Sequence, residues 1–158
     1  MRVTITPSRA KGTVKAPPSK SIAHRMLIAG ALSEGESVIH GISLSQDIKA
    51  TLRCLAALGA EYTLDGDTVR IGKCKPSAVK KKVLLDCGES GSTLRFLVPL
   101  ALLGGKRVTF EGSEKLFSRP LGVYEEIAKN GVKAADKNRK LSAGEYSVPG
   151  NVSSQFIT

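Results

Sequence analysis

The sequence of 158 residues has no tryptophan, and its aromatic share is only 4%. We therefore expect an aliphatic core. Aromatic side chains interleaved with basic ones, on which single-stranded nucleic acids stack, are also missing. Acidic residues are outnumbered, 14 against 24 lysines and arginines, which gives a net charge of +10. This imbalance favours anionic partners such as nucleic acid, an acidic surface or small anionic substrates.

Cysteines are few as well. Cys54, Cys74 and Cys87 are odd in number and lack the spacing of metal ligands, so we interpret them as buried, reduced thiols. No apolar run approaches the ~20 residues that cross a membrane, and the first residues lack an apolar signal region. These absences predict a soluble, cytoplasmic protein.

Three segments share a pattern that suits an anion. They are residues 18–25 (PSKSIAHR), 88–95 (GESGSTLR) and 151–155 (NVSSQ). Each puts small hydroxyl or glycine residues before an apolar run that favours a helix. Since a helix start offers unpaired N–H groups and a positive dipole end, it favours phosphate or carboxylate. Three such starts predict one shared anionic ligand.

The chain also repeats itself at an offset of about 70 residues. Residues 31–38 match 102–108, and each passes from an apolar helix through glycine into a strand. Residues 61–64 and 68–71 flank Asp-Gly-Asp and predict a hairpin. A helix that ends at Gly59 matches one that ends at Gly131, with Pro120 in the first turn of the second.

Each repeat unit reads strand, helix, strand, helix, strand, strand. We divide the chain into a leading strand segment (1–17), a first unit (18–82), a second unit (83–145) and the start of a third (146–158). Because the third unit has barely begun where the sequence stops, we expect the chain to be a fragment of a longer protein.

Four motifs occur in order and carry a family resemblance. They are Pro-Ser-Lys-Ser with Arg25, Gly-x-x-Gly-Ser-x-x-Arg at 88–95, Arg-Pro-Leu at 119–121, and Val-Ser-Ser-Gln-Phe at 152–156. Together they make the chain similar to the enolpyruvyl transferases, and most similar to those that act on shikimate 3-phosphate. The resemblance implies an α/β fold of α+β repeats. This fold is an inside-out α/β barrel lobe of βαβαββ units, with helices inside and sheets outside. The chain would supply about two of the three units of an amino-terminal lobe.

The resemblance also implies an activity. Members of this family transfer the carboxyvinyl (enolpyruvyl) group of phosphoenolpyruvate to the 5-hydroxyl of shikimate 3-phosphate and release phosphate, a step of aromatic amino acid biosynthesis that glyphosate inhibits. They need no metal or organic cofactor. We accordingly expect small-molecule substrates, no nucleic acid or membrane partner, a monomeric intact enzyme, and a fragment prone to self-association through uncovered apolar faces.

Residue roles follow from matching the motifs. Contacts to shikimate 3-phosphate are implied for Lys20, Ser21, Arg25, Ser153, Ser154 and Gln155, and contacts to phosphoenolpyruvate for Lys20, Gly91, Arg119 and Gln155. A fixed ammonium offsets the charge of two phosphorylated ligands, a guanidinium can bind a carboxylate bidentately, and a glycine lets a ligand approach its N–H closely. The family's general base lies in the second lobe, so no catalytic residue and no turnover are expected for this chain alone.

Three further residues receive a different interpretation. Glu89 departs from the asparagine common in the family, and its carboxylate would repel the substrates unless it is protonated or paired with a cation such as Arg95. His24 lies inside the first motif but at a variable family position, and we interpret both it and His40 as structural.

Two other functions stay open at this stage. The sister enzyme that acts on UDP-N-acetylglucosamine shares fold and chemistry, but it has Lys-Asn where this chain has Lys20 and Ser21, and it uses a mobile-loop cysteine. A basic nucleic-acid-binding repeat module is supported by charge alone.

Overall fold

The computed structural model describes residues 3–4, 6–7, 9, 11–74, 82–104, 108–131, 141 and 144–151. Within them, ten elements follow one another: α1 (Lys20–Leu32), β1 (Ser37–Ile39), α2 (Gln46–Ala57), β2 (Tyr62–Asp65), β3 (Thr68–Ile71), β4 (Val83–Asp86), α3 (Gly91–Gly104), β5 (Val108–Glu111), α4 (Glu114–Phe117) and α5 (Gly122–Gly131). No helix of this described part is long and apolar enough to cross a membrane.

Serine side chains begin the first two helices. Ser19 Oγ accepts the Ile22 N–H of α1 at 3.3 Å, and Ser45 Oγ accepts the Ile48 N–H of α2 at 3.4 Å. Each cap satisfies one of the N–H groups that a helix start leaves unpaired. The helix start predicted at the first motif is thereby confirmed.

The end of α2 is fixed by the predicted glycine. Gly59 has a φ of 92°, a conformation that side-chain-bearing residues rarely adopt. Its N–H bonds to Ala56 O at 2.8 Å, and the Ala60 N–H bonds to Leu55 O at 3.0 Å. This pair of bonds is the Schellman ending, which turns the chain sharply toward β2.

Two separate sheets flank the helices. The first is antiparallel in the order β1-β3-β2, and the predicted hairpin between β2 and β3 is confirmed, with Asp65 opposite Thr68. The second pairs β4 and β5 in parallel, with Val83 opposite Val108. Parallel neighbours need a crossover, and α3 provides it.

The core is aliphatic, as the composition predicts. Helices α1, α2 and α3 contact one another, and the sheets cover them. The largest fully buried apolar side chains come from all three helices, from β3 and β4, and from α4: Leu27, Ile48, Leu52, Leu55, Val69, Ile71, Leu85, Leu94, Leu97 and Leu116. The three cysteines are free and buried, which confirms the thiol interpretation.

The region around Pro120 differs from the prediction. A one-turn helix that the sequence analysis missed, α4, is capped by Ser113 Oγ, which accepts the Leu116 N–H at 3.2 Å. The next helix begins only at Gly122, after the Leu121 carbonyl has accepted the Tyr124 N–H at 2.9 Å. Pro120 thus lies in the connection between α4 and α5, because the one-turn helix α4 after β5 moves the start of the following helix to Gly122.

In the leading segment (1–17), the described residues between 3 and 17 belong to no helix or strand, and Val14 is 89% exposed. A strand needs a neighbour for its backbone groups, and the described residues offer none there. The closing strands of the second unit fall largely on residues 132–140, outside the described part, so the division into repeat units stays a prediction.

A close backbone approach holds the loops after β4 and β5 together. The Ser113 N–H bonds to Gly88 O at 2.9 Å, and a Cβ placed on Gly112 would lie 2.6 Å from that same oxygen. We predict that Gly112→Ala lowers the free energy of unfolding by about 1–3 kcal/mol, because the backbone must shift. Urea denaturation measures it. The matched control is Gly122→Ala, where nothing lies within 4 Å; equal losses in both variants would contradict the prediction.

Candidate functional site

The starts of α1 and α2 meet through an ion pair. Lys20, the first residue of α1, places its Nζ 2.6 Å from Oδ2 of Asp47, the second residue of α2. The two side chains are 54% and 29% exposed. A pair this exposed adds little stability, so its main effect is to orient the ammonium while leaving it reachable from solvent.

Ser21 and Arg25 lie together on one face of α1, as their spacing predicts. Arg25 Nη1 donates to the Ser21 carbonyl oxygen at 2.8 Å. The same guanidinium lies over the Phe96 ring of α3, with Cζ 4.7 Å from the ring centroid. Arg25 therefore spans from α1 to α3, and the stacked ring limits where its charge can go.

Two guanidinium groups lie against the start of α3. A Cβ placed on Gly91 would lie 2.5 Å from Arg119 Nη1 and 3.6 Å from Arg95 Nη1. The bare glycine is what admits Arg119 so closely. A helix start carries the positive end of the dipole, and cations are unfavourable there. Positive charge gathered at this end favours an anion between the helix N–H groups and the guanidinium groups.

Buried hydroxyls connect the three helices beneath these charges. His24 Nδ1 lies 2.7 Å from Thr51 Oγ1, which lies 2.7 Å from Thr93 Oγ1. Thr93 Oγ1 in turn contacts Ser90 Oγ at 2.7 Å and the Asp47 carbonyl at 3.3 Å. Ser90 Oγ also caps α3 by accepting the Thr93 N–H at 3.2 Å. The positions of the helix starts are thus set from inside the fold.

His24 is fully buried, and burial lowers the pKa of its imidazole below the ordinary 6.5. Asp47 opposes this lowering, whereas Lys20 and Arg25 add to it. The structural interpretation of His24 fits this position away from solvent. His40, the other histidine, lies outside this cluster and hydrogen-bonds Thr68 Oγ1 at 3.1 Å.

The structure brings some of the predicted site residues together and leaves others undescribed. Lys20, Ser21 and Arg25 lie on α1, and Gly91 lies at the start of α3 beside Arg119. Contacts of Asp47, Thr93 and Phe96 link these helices. Ser153, Ser154 and Gln155 lie outside the described residues. The sequence pattern placed Pro120 in a first helical turn and Arg119 at the start of that helix, and this prediction is wrong. Arg119 lies in the bend after α4 and reaches Gly91 from there.

Sequence reasoning missed Asp47, Thr51 and Thr93. Asp47 has the common position of an acidic residue in a first helical turn, and that signal says nothing about Lys20. The two threonines are β-branched residues inside helices, a mild anomaly that could have marked them, but only tertiary packing pairs them across 42 residues.

Glu89 is exposed beside α3. It borders an open hollow of about 550 Å³ together with Asp86 and Glu111, among other residues. None of the ion pairs among the described residues involves Glu89, so the considered pairing with Arg95 is not found there. Within the same residues no group of three or more His, Cys, Asp or Glu side chains could hold a metal ion.

Comparison with known proteins matches the sequence of this chain to one family. A family model described as EPSP synthase (3-phosphoshikimate 1-carboxyvinyltransferase) matches residues 5–158. The chain is 46% identical over 173 residues to the 3-phosphoshikimate 1-carboxyvinyltransferase of Clostridium novyi (strain NT), covering 99% of this chain and 40% of that protein. The protein of the same name from Clostridium acetobutylicum is 46% identical to the chain over 169 residues, covering 99% of this chain and 39% of that protein. The chain thus spans about 40% of the length of these curated relatives.

Solved structures give the same result for the fold. An EPSP synthase from Acinetobacter baumannii at 2.37 Å superposes with a TM-score of 0.70 at 20% identity, over 92% of this chain and 37% of that one. The predicted enolpyruvyl transferase fold is thereby confirmed.

The buried imidazole gives a prediction for stability against pH. Because the pKa of His24 is lowered on folding, the unfolded chain binds a proton that the folded one does not over the interval just below 6.5. The free energy of unfolding should therefore be highest above pH 6.5 and should decrease as the pH is lowered below 6.5. Urea midpoints between about pH 7.5 and 5 measure the slope.

Two variants separate His24 from the other groups that titrate in this range. We expect His24→Asn to flatten the slope, and His40→Asn, at an exposed position, to leave it unchanged. A slope that persists in His24→Asn would contradict the assignment.

Proposed function

Since the chain belongs to the EPSP synthase family, we propose that the protein containing it transfers the carboxyvinyl group of phosphoenolpyruvate to the 5-hydroxyl of shikimate 3-phosphate. In this reaction the hydroxyl oxygen bonds to C2 of phosphoenolpyruvate, the C2–O bond to phosphate breaks, and phosphate leaves with the electron pair. The hydroxyl proton passes to a base. The chain supplies substrate-binding groups of one lobe, and we assign it no catalytic base.

The approach of Arg119 to Gly91 is the observation that carries the proposal. A guanidinium at the positive end of α3, next to a residue that has no side chain of its own, suits the phosphate or carboxylate of phosphoenolpyruvate. The helix N–H groups and the guanidinium then contact the same anion from two directions. An anion held by preorganised donors is stabilised further as charge develops on the departing phosphate.

Lys20 joins the two substrate sites in this proposal. Its ammonium lies at the start of α1 and is held by Asp47, whose backbone carbonyl contacts Thr93 of α3. A charge at this junction can meet the phosphate of one ligand and the polar edge of the other. Ser21, the next residue of α1, and Arg25, about one helical turn further along, then bind shikimate 3-phosphate through a hydroxyl and a guanidinium. We assign Ser153, Ser154 and Gln155 to the same ligand on the motif alone.

Because these 158 residues correspond to about 40% of the relatives' length, we assign turnover to the longer protein and not to this chain. The part of the relatives' length that this chain does not cover would supply the general base and further cations around phosphoenolpyruvate. We also propose that the longer protein is a monomer that acts in the cytoplasm on these small molecules without metal, organic cofactor, nucleic acid or membrane. Buried thiols fit a reducing compartment.

Phosphate release from phosphoenolpyruvate and shikimate 3-phosphate tests the proposal. The full open reading frame that contains this chain should release phosphate only when both substrates are present, and the 158-residue chain should not. We predict that Lys20→Met in the longer protein lowers kcat/KM by on the order of 10²–10³, because a preorganised charge at the departing phosphate is lost.

Lys49→Met is the matched control. Lys49 is an exposed lysine on α2, two residues from Asp47, and it belongs to none of the ion pairs found in the described ranges. Its loss changes the net charge equally and should leave kcat/KM within about twofold, as surface substitutions away from special features do. Equal losses in both variants would mean that only overall charge matters, and would contradict the role of Lys20.

A further inference from the structure

A chain of four hydrogen-bonded, buried side chains runs from the second turn of α1 to the start of α3. His24, Thr51, Thr93 and Ser90 are each at most 1% exposed, and the three contacts that join them are all 2.7 Å long. None of these residues belongs to the predicted site. The chain ends at the cap of α3, immediately before Gly91.

Counting protons gives the chain a direction. Thr93 has one hydroxyl proton, and it is directed to Ser90 Oγ or to the Asp47 carbonyl, both of which it contacts as a donor. Thr93 therefore accepts from Thr51 in the remaining contact. Thr51 donates its only hydroxyl proton to Thr93, so it must accept a hydrogen bond from His24. The imidazole therefore carries its proton on Nδ1.

The other imidazole nitrogen, His24 Nε2, is buried and makes no hydrogen bond within the described structure. As a lone pair it is tolerable, whereas an N–H there would be an unsatisfied donor. The neutral imidazole with its proton on Nδ1 is thus the form that fits. Lys20 and Arg25 on α1 and Asp47 on α2 are the charged groups that act on it, and Phe96 of α3 packs edge-on at 6.4 Å.

An apolar residue at position 24 would fill the core without leaving an orphaned nitrogen, so packing alone does not account for the imidazole. What the imidazole adds is a single donor that fixes the orientation of two hydroxyls in sequence. The second of these hydroxyls, that of Thr93, contacts Ser90, whose side chain caps α3. A displacement of the cap would move the Gly91 N–H.

We propose that His24 is a positioning residue: through Thr51, Thr93 and Ser90 it fixes the start of α3, and with it the Gly91 backbone, for the anion of phosphoenolpyruvate. The inference rests on the proposed function. It adds a residue that touches no substrate but controls affinity on one side of the site. Shikimate 3-phosphate, bound from α1, is affected less.

Four variants of the longer protein test the proposal: His24→Leu, His24→Asn, Thr51→Val and the double variant His24→Leu with Thr51→Val. Leucine fills the site without a donor, whereas the asparagine amide nitrogen reproduces a donor near Nδ1. We expect His24→Leu and Thr51→Val each to raise KM for phosphoenolpyruvate about fivefold, with KM for shikimate 3-phosphate within about twofold. His24→Asn should stay near the parent value.

The double variant shows whether the two residues act as one chain. If they do, KM for phosphoenolpyruvate in the double variant should be no higher than in either single variant, since one substitution already breaks the series of hydrogen bonds. Multiplied effects would overturn the proposal, as would equal losses in His24→Leu and His24→Asn. A lower Tm with unchanged KM in His24→Leu would assign His24 to folding alone and would also overturn it.

A binding measurement separates this inference from the proposed reaction. Inorganic phosphate is titrated into the ¹⁵N-labelled longer protein, and the Gly91 amide signal is followed together with the imidazole nitrogens. We expect a neutral ring with its proton on Nδ1, and a phosphate response at Gly91 that is several-fold weaker in His24→Leu but kept in His24→Asn. If the parent protein shows no turnover, the proposed reaction fails while this titration still decides the role of His24. A proton on Nε2, or equal responses in both variants, refutes the role.

Discussion

The hydrogen bonds among His24, Thr51, Thr93 and Ser90 are the constraint on which the described site depends. They hold the amino-terminal halves of three helices together at a depth that water does not reach. Helix starts repel one another because each carries the positive end of a dipole. Short hydroxyl contacts in the interior, where they are electrostatically strong, offset that repulsion and leave the outer face positive.

The outer face is built where parallel strands end. The loop after β4 leads to Gly91, the loop after β5 leads to Arg119, and the Gly88 carbonyl accepts the Ser113 N–H between them at 2.9 Å. Ligands of α/β folds commonly bind beyond the carboxyl ends of parallel strands, because helix starts gather there. In this molecule a missing Cβ at Gly112 permits the contact between the loops, and another at Gly91 admits Arg119.

The charges at the helix starts are only partly paired among the described residues. Asp47 neutralises Lys20, but Arg119 at the start of α3 belongs to none of the ion pairs in the described ranges. Because the chain belongs to the EPSP synthase family, we propose that this excess charge serves to bind phosphorylated substrates. The carboxylate of Glu89, at the edge of this region, opposes the binding of anions. Because Glu89 is exposed, solvent screens its charge and weakens that repulsion.

Local chemistry was readable from the sequence. The serine cap before Lys20, the glycine that ends α2, the hairpin around Gly66 and the aliphatic core all follow from neighbouring residues and composition. The ordered motifs identified the family and the enolpyruvyl transferase fold. Pro120 was misplaced, because a short capped helix after β5 depends on where the Gly88 loop lies.

Tertiary structure alone decided which of these local features meet. Asp47 pairs with Lys20 across 27 residues, and Thr51 meets Thr93 across 42. No local pattern encodes either partner, because both contacts form only after the helices have packed. The apolar faces through which they pack do not predict which polar residues will become neighbours. The sequence by itself determined the start of α1, the end of α2 and which charges these helices carry. The packing decided that those charges face one another, since only the folded core sets the distance between helix starts.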